Sequence, residues 1–203
     1  MVSSVGVSGL HTFDERVALN YGIQITSDEI ESSSLENGTF TNRNYYKVSL
    51  LPQYRLLIDA KESLTFKGGI SWDDTSRDKS TMSTIAEIRW IRDGLDGNSE
   101  RTYISYAEAV QFPGYGAIGG SENSGLFRSN HNLNHESSRN LEFGYQMERI
   151  TWSMSVALFY RWDDDLVELE YVGTGARSAQ NVYIETYGLE CIASRQCNRV
   201  QAI

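Results

Sequence analysis

The stretch from residue 150 to residue 162, I-T-W-S-M-S-V-A-L-F-Y-R-W, constrains the fold most, because its side chains alternate without a break. In an extended chain, one face carries only large apolar side chains: Trp152, Met154, Val156, Leu158, Tyr160 and Trp162. Ten residue steps of about 3.3 Å cover roughly 33 Å, and a tilt of about 40° reduces this to about 25 Å. That is the height of the apolar band on a transmembrane β-barrel. The pattern therefore predicts a membrane-spanning strand with Trp152 and Trp162 as aromatic-belt residues at its two ends.

Further segments repeat this alternation and predict about eight strands in total, with no convincing helix. They cover residues 17–25, 46–56, 64–72, 82–90, 103–109, 141–147 and 181 to about 193. The predicted fold is all-β: an antiparallel transmembrane β-barrel segment.

The predicted connections alternate in length, as extracellular loops and periplasmic turns do in outer-membrane barrels. The long connections, predicted to be extracellular, are 26–44, 73–81, 111–137 and 163–180. The short ones, predicted to be periplasmic, are 57–62, 91–100 and 148–150.

Composition excludes few classes, because 203 residues with a net charge of −9 fit a soluble acidic domain as well as a barrel. No run approaches the roughly 18 apolar residues of a spanning helix, and the first residues lack the features of a signal peptide. If the protein is exported, we expect its N-terminus to be missing. The acidic charge without a basic cluster argues against nucleic acid as a partner.

Cys191 and Cys197 are too few for a zinc site and hint only weakly at a loop disulfide.

Several short motifs are better explained as polar loops than as cofactor-binding or metal-binding sites. Gly114, Gly116 and Gly119 form a G-x-G-x-x-G, but no βαβ unit surrounds it, so a flexible glycine loop is expected. His131 and His135 are four residues apart in a segment that disfavours a helix, and no third metal ligand is evident.

The acidic clusters give no catalytic or calcium-binding pattern either. The aspartates at 73, 74 and 78 and at 163–165 lack the EF-hand glycine and closing glutamate, so acidic loop tips in water are expected. Glu168 and Glu170 lie on one face of a strand, unlike a pair of glycosidase acids. With no catalytic serine motif, the sequence predicts no enzyme and no metal or cofactor site.

From residue 103 onward, four ordered blocks resemble the C-terminal half of TonB-dependent outer-membrane receptors. The first is a Y-x-S-Y-x-x-A strand followed by a loop with Pro113. The second matches at Asn130, Leu133, Glu136, Ser138, Glu142 and Gly144, with His131 and His135 where prolines are usual. The third is Phe159 and Tyr160 followed by Asp164, Asp165, Leu166 and Val167. The fourth is Asn181, Val182, Gly188, Leu189 and Glu190.

The resemblance implies a 22-stranded barrel in the outer membrane of a Gram-negative bacterium. Such receptors import siderophores, cobalamin or glycans through a barrel closed around a plug that contacts TonB. We expect residues 1–203 to be a partial barrel domain without plug or signal peptide, because the last residues lose the alternation and Ile203 is not the usual terminal aromatic. The implied partners are outer-membrane lipid, a small-molecule or glycan ligand, and TonB only through the missing plug and TonB box.

Two alternatives remain open at the level of sequence: a small closed eight-stranded outer-membrane barrel and a soluble β-sandwich ligand-binding module. The face opposite the apolar one is rich in Gly and Ser, which suits a wide barrel wall better than a packed narrow core. In a wide barrel, the loop 111–137 is the expected ligand loop because of its length, glycines and aromatics. Its candidate contacts are Phe112, Tyr115 and Phe127.

Overall fold

The computed structural model describes residues 1–32, 35, 41–94, 97–173 and 175–196 and folds them into one ten-stranded sheet. The elements are β1 (Val2–Thr12), β2 (Val17–Glu29), β3 (Asn42–Leu57), β4 (Glu62–Thr75), β5 (Asp78–Asp93), β6 (Ser99–Gln111), α1 (Tyr115–Ile118), β7 (Phe127–Arg128), β8 (Glu136–Glu148), β9 (Trp152–Val172) and β10 (Ala176–Arg195). The strand order is β1-β2-β3-β4-β5-β6-β8-β9-β10-β7, and all pairs are antiparallel except β10 with β7. The predicted all-β antiparallel barrel segment is confirmed.

Over the described residues the sheet stays open, because β1 and β10 do not pair with each other. No second sheet packs on it within those ranges, so it is neither a closed eight-stranded barrel nor a β-sandwich. Its only helix there, α1, is one turn long, and no helix of the described chain has the length and apolar content to cross a membrane.

One face of the sheet, which we call the outer face, carries the predicted apolar side chains in register across the strands. Ile88 lies opposite Ile104, Ile104 opposite Phe143, and Phe143 opposite Leu158. Leu158 is 53% exposed although it lies in the middle of a long strand. A row of large apolar side chains this exposed is typical of a face that contacts an apolar environment, as on the lipid-facing side of a β-barrel.

The two ends of the sheet differ in their connections. We call the end with the connections 30–41, 76–77, 112–135 and 173–175 the loop end, and the end with 13–16, 58–61, 94–98 and 149–151 the turn end. The chain's four tryptophans lie on the outer face, Trp72 and Trp162 towards the loop end and Trp90 and Trp152 towards the turn end. This placement matches two aromatic girdles that flank an apolar band.

The alternation in the sequence underestimates both the number of strands and the length of the longest ones. β1 was not predicted, because serines and glycines interrupt its valines. The predicted long loops 73–81 and 163–180 are wrong, since the β4–β5 and β9–β10 ladders continue to the turns 76–77 and 173–175. The apolar alternation stops at Asp73 and Asp74 in β4 and is interrupted by the run 163–165 in β9, although the backbone ladders continue. The predicted acidic loop tip at 163–165 therefore lies inside β9.

On the other face, which we call the inner face, two glycines accommodate aromatic rings from directly opposite residues. Gly144 lies opposite Tyr103, and a Cβ on Gly144 would lie 2.2 Å from the Tyr103 ring. Gly188 lies opposite Phe159, and a Cβ there would lie 2.6 Å from that ring. An aromatic ring over a cross-strand glycine covers exposed backbone and helps to fix strand register.

Candidate ligand site at the loop end

The connection between β6 and β8, residues 112–135, is an ordered segment that we call the strap. Ser129 joins its two legs, because its Oγ donates to the carbonyl of Gly116 at 3.0 Å and accepts from the backbone N–H of Gly120 at 2.8 Å. The backbone N–H of Asn130 also donates to the carbonyl of Ala117 at 2.8 Å. Gly114, Gly116 and Gly119 of the predicted glycine loop flank or form the one-turn helix α1.

Arg43 of β3 fastens the strap to one side of the sheet. Its guanidinium lies 4.1 Å from the ring centroid of Tyr115 and 5.1 Å from that of Tyr45. It also pairs with Asp28 at 3.3 Å and donates to the carbonyl of Pro113. Only 8% of Arg43 is exposed, so these contacts replace its hydration and fix the start of the strap.

Tyr115 completes this contact from the strap side. Its hydroxyl donates to Asp28 Oδ1 at 2.6 Å. Burial and this hydrogen bond raise the pKa of Tyr115 to about 12. The phenol is therefore neutral at physiological pH and keeps the proton that it donates to the carboxylate.

The other leg of the strap is tied to the far side of the sheet. β7 pairs in parallel with β10, and the backbone N–H of Arg177 donates to the carbonyl of Leu126 at 2.7 Å. The backbone N–H of Asn134 donates to Asn181 Oδ1 at 3.0 Å, and Asn181 Nδ2 donates to the carbonyl of Asp165 at 2.6 Å. Asp165 has a φ of 57°, a left-handed conformation that these contacts hold in place at a bulge in β9.

The three predicted ligand-loop residues lie in two places. Phe112 and Tyr115 are at the β3 side, where the Phe112 ring lies 5.6 Å from the ring of Tyr45. Phe127 is on the β10 side in β7 and is 66% exposed. The strap therefore separates Phe127 from the other two. Sequence reasoning missed Asp28, Arg43 and Tyr45, which no local pattern distinguishes from other polar strand ends.

Beside the strap, a cleft of about 300 Å³ opens between the end of β6 and strands β2 to β4. It is lined by Gln24, Thr26, Tyr45, Tyr46, Lys47, Asp73, Asp74, Val110, Gln111 and Phe112. Gln24 and Lys47 also line a second hollow of about 390 Å³, with Gly6, Ser8, Gly22 and Ser49 among its small residues. The two hollows meet at Gln24 and Lys47 and give an elongated groove along the inner face. We call the first of them the cleft.

The cations of the inner face near the cleft take part in ion pairs. Lys47 Nζ lies 3.0 Å from Asp73 Oδ1, and Ser71 donates to the other oxygen of that carboxylate at 2.6 Å. Further along, Glu87 pairs with Arg89 and lies 3.9 Å from Lys67. The inner face is thus strongly polar without a cluster of unpaired cations in these strands.

The two histidines of the strap form polar contacts. His135 Nδ1 lies 3.2 Å from Asp78 Oδ2, and His131 Nε2 lies 3.1 Å from the carbonyl of Gly120. Among the described residues no three His, Cys, Asp or Glu side chains come together as a metal site would require. Cys191 is an exposed free thiol on β10, and Cys197 lies outside the described residues.

The positions that match the family motifs lie mainly at contacts between elements. Glu142 accepts from the Tyr103 hydroxyl at 2.6 Å, Glu136 accepts from the backbone N–H of Val167 at 3.3 Å, and Asp164 pairs with Arg139. Glu190 lies opposite Ala157 in the β9–β10 ladder. Asn130 Oδ1 accepts from the backbone N–H of Asn132 at 3.0 Å, and Leu133 lines a small cavity under the strap.

Solved structures with a similar fold are two siderophore receptors and a copper transporter. The siderophore receptor PirA from Pseudomonas aeruginosa matches with a TM-score of 0.64 and 17% identity, covering 94% of this chain and 36% of its own. PirA from Acinetobacter baumannii matches with a TM-score of 0.60 and 15% identity, covering 96% of this chain and 34% of its own. The copper transporter OprC matches with a TM-score of 0.61 and 13% identity, covering 97% of this chain and 36% of its own. The chain thus spans about a third of the length of these proteins, and at these identities the likeness shows the fold alone.

Sequence comparison with curated proteins gives no match. A family model does match: the TonB dependent receptor-like β-barrel, over residues 6–193. Because this match covers nearly all of the strands described above, the chain belongs to the TonB-dependent receptor-like β-barrel family.

Proposed function

We propose that this chain forms part of the barrel wall of a TonB-dependent transporter in the outer membrane of a Gram-negative bacterium. In this proposal the loop end faces the outside, and the strap and the cleft select a nutrient ligand. TonB acts through a plug and TonB box that residues 1–203 do not supply, so these residues are a partial barrel domain. The chain transports and does not catalyse.

One observation carries the proposal: the strap is fastened to β2 and β3 on one side and to β9 and β10 on the other. A segment with this many contacts holds its aromatic residues in fixed positions at the loop end of the sheet. Fixed aromatics beside a polar cleft are a common arrangement for small-ligand binding. The family membership and the aromatic girdles support the membrane location.

The proposal is tested by replacing Phe112, Tyr115 and Phe127 together with Ala in the transporter that contains this chain. We expect ligand uptake to fall at least about tenfold, because the strap would lose Phe112 at the cleft, the contacts of Tyr115 with Arg43 and Asp28, and its exposed aromatic on the far side. Uptake is measured with cells that carry equal amounts of the protein in the outer-membrane fraction. Unchanged uptake would refute the role of the strap, and recovery of the wild-type protein outside the outer membrane would refute the location.

A further inference from the structure

The lining of the cleft has a composition that restricts the chemistry of its ligand. Its one cation, Lys47, is paired with Asp73, whereas Asp74 lies opposite Tyr46 in the β3–β4 ladder and so belongs to the outer face. The lining side chains on the inner face therefore carry no net formal charge. A polyanionic ligand would meet no unpaired cation in the lining to receive it.

The polar groups of the cleft also point to a ligand that donates hydrogen bonds. Gln24 already donates from Nε2 to Ser4 Oγ at 3.3 Å and to Thr26 Oγ1 at 3.2 Å, which leaves its amide oxygen as an acceptor. The amide oxygen of Gln111 is a further acceptor in the lining. Acceptors such as these are matched by hydroxyl groups, which donate and accept. A metal chelate whose surface consists of acceptor oxygens would match fewer of them.

Two aromatic rings supply the apolar surface of the same cleft. The ring of Phe112 lies between the rings of Tyr45 and His135, at 5.6 Å and 6.0 Å. Flat rings beside planar amide and carboxylate groups suit a ligand with apolar C–H faces and polar edges. Pyranose rings have both, and the groove that continues past Gln24 and Lys47 has room for more than one ring.

From this lining we infer that the cleft binds a neutral, hydroxyl-rich ligand of the oligosaccharide class. The inference rests on the proposed function and concerns only the class of ligand. It makes Phe112 and Tyr45 the stacking surface, and Gln24 and Gln111 the hydrogen-bonding partners. The Lys47–Asp73 pair keeps the floor of the cleft neutral.

The test measures binding by the full chain, purified in detergent micelles, to three kinds of probe. They are neutral gluco-, xylo-, manno- and galacto-oligosaccharides of four to six units, an anionic ferric tris-catecholate, and a neutral ferric hydroxamate. We expect saturable binding of at least one oligosaccharide and none of the ferric probes. Binding of either ferric probe in preference to every oligosaccharide, or no oligosaccharide binding at all, would overturn the inference.

Two variants connect the result to the cleft. Phe112→Ala should weaken oligosaccharide binding about tenfold, whereas Phe13→Ala, an exposed phenylalanine at the turn end, should leave it unchanged. Asp73→Asn frees Lys47 and should strengthen binding of the anionic chelate about tenfold, whereas Asp93→Asn at the turn end should not. Oligosaccharide binding that is indifferent to Phe112 would overturn the inference.

The same measurements separate this inference from the function on which it rests. If the anionic chelate is the ligand and its binding requires Phe112 and Tyr115, the ligand class is wrong and the ligand-selecting strap is retained. If an oligosaccharide binds but uptake does not depend on the strap, the class is retained and the role of the strap in transport is wrong.

Discussion

At the scale of single residues, Gly69 explains how β3 and β4 approach each other. The paired register of these strands runs from Tyr45 to Leu50 and resumes at Gln53, leaving a gap at Leu51 and Pro52. Proline has no N–H to donate to the ladder, which accounts for the gap. The backbone of β3 lies close to Gly69 there. A Cβ on Gly69 would lie 2.2 Å from the carbonyl oxygen of Leu50.

The neighbouring glycine gives a matched prediction. Gly69→Ala should lower the free energy of unfolding in lipid vesicles by about 1–3 kcal/mol, because backbone must move to relieve the clash. Gly68→Ala should have no such cost, since nothing lies within 4 Å of a Cβ at that position. Urea-dependent unfolding followed by tryptophan fluorescence measures both, and equal stabilities for the two variants would contradict this account of Gly69.

Asp14 makes the β1–β2 turn sensitive to acid. The backbone N–H groups of Arg16 and Val17 each donate to Asp14 Oδ1 at 2.7 Å, and they hold the pKa of this carboxyl below its usual range. A lowered pKa in the fold means that the carboxylate stabilises the turn at all pH values above the ordinary carboxyl pKa. This stabilisation is lost as the pH falls through the lowered pKa.

We therefore expect amide protection at Val17 to decrease in acid for the wild-type chain. In Asp14→Ala the protection should be low throughout and independent of pH over the same range. Hydrogen exchange with correction for the intrinsic pH dependence measures this. A pH-dependent loss that persists in Asp14→Ala would assign the effect to another group.

At the scale of elements, Arg43 determines how firmly the strap is held. Lysine at this position keeps the charge but loses the flat guanidinium between the Tyr45 and Tyr115 rings. Arg43→Lys should therefore raise the hydrogen-exchange rate of strap amides at Ala117 and Gly119 at least about tenfold, with β6 unaffected. Arg55→Lys, on the same strand near the turn end, is the control, because its guanidinium contacts Ser63 and not the strap. Equal protection in all three proteins would show that Arg43 does not hold the strap.

The strands and the strap differ in how far the sequence predicts them. Alternation predicts strands where lipid on one side and a polar interior on the other give each residue a distinct environment, as along β9. It does not predict β1, where glycine and serine weaken the signal, or the outer ends of β9 and β10. The candidate site was predicted only as a loop with three aromatics. Its main ties join residues far apart in sequence, such as Arg43 with Pro113 and Tyr115 with Asp28, and local patterns carry no information about such pairs.

At the scale of the whole molecule, we expect the outer and inner faces of the sheet to contact different environments. Substitutions at two neighbouring residues of β9 test this expectation. Leu158→Arg places a charge on the outer face between the two tryptophan levels and should cost about 2–4 kcal/mol of stability in a bilayer. Ala157→Arg places the same charge on the inner face, opposite Glu190, and should cost much less. Folding yield into lipid vesicles measures both, and a larger loss for Ala157→Arg would reverse the assignment of the faces.

The parallel pairing of β7 also limits how the wall can be extended. Phe127 and Arg128 occupy the free edge of β10 beside Arg177 and Ser178. A strand added at this edge can pair with β10 only between the strap and the turn end. The ladder of the added strand must therefore end before the loop end of the β9–β10 hairpin. The pairing between β10 and the added strand therefore ends further from the loop end than the β9–β10 hairpin does. When a longer wall assembles, the added strand has to lie on the turn-end side of the strap.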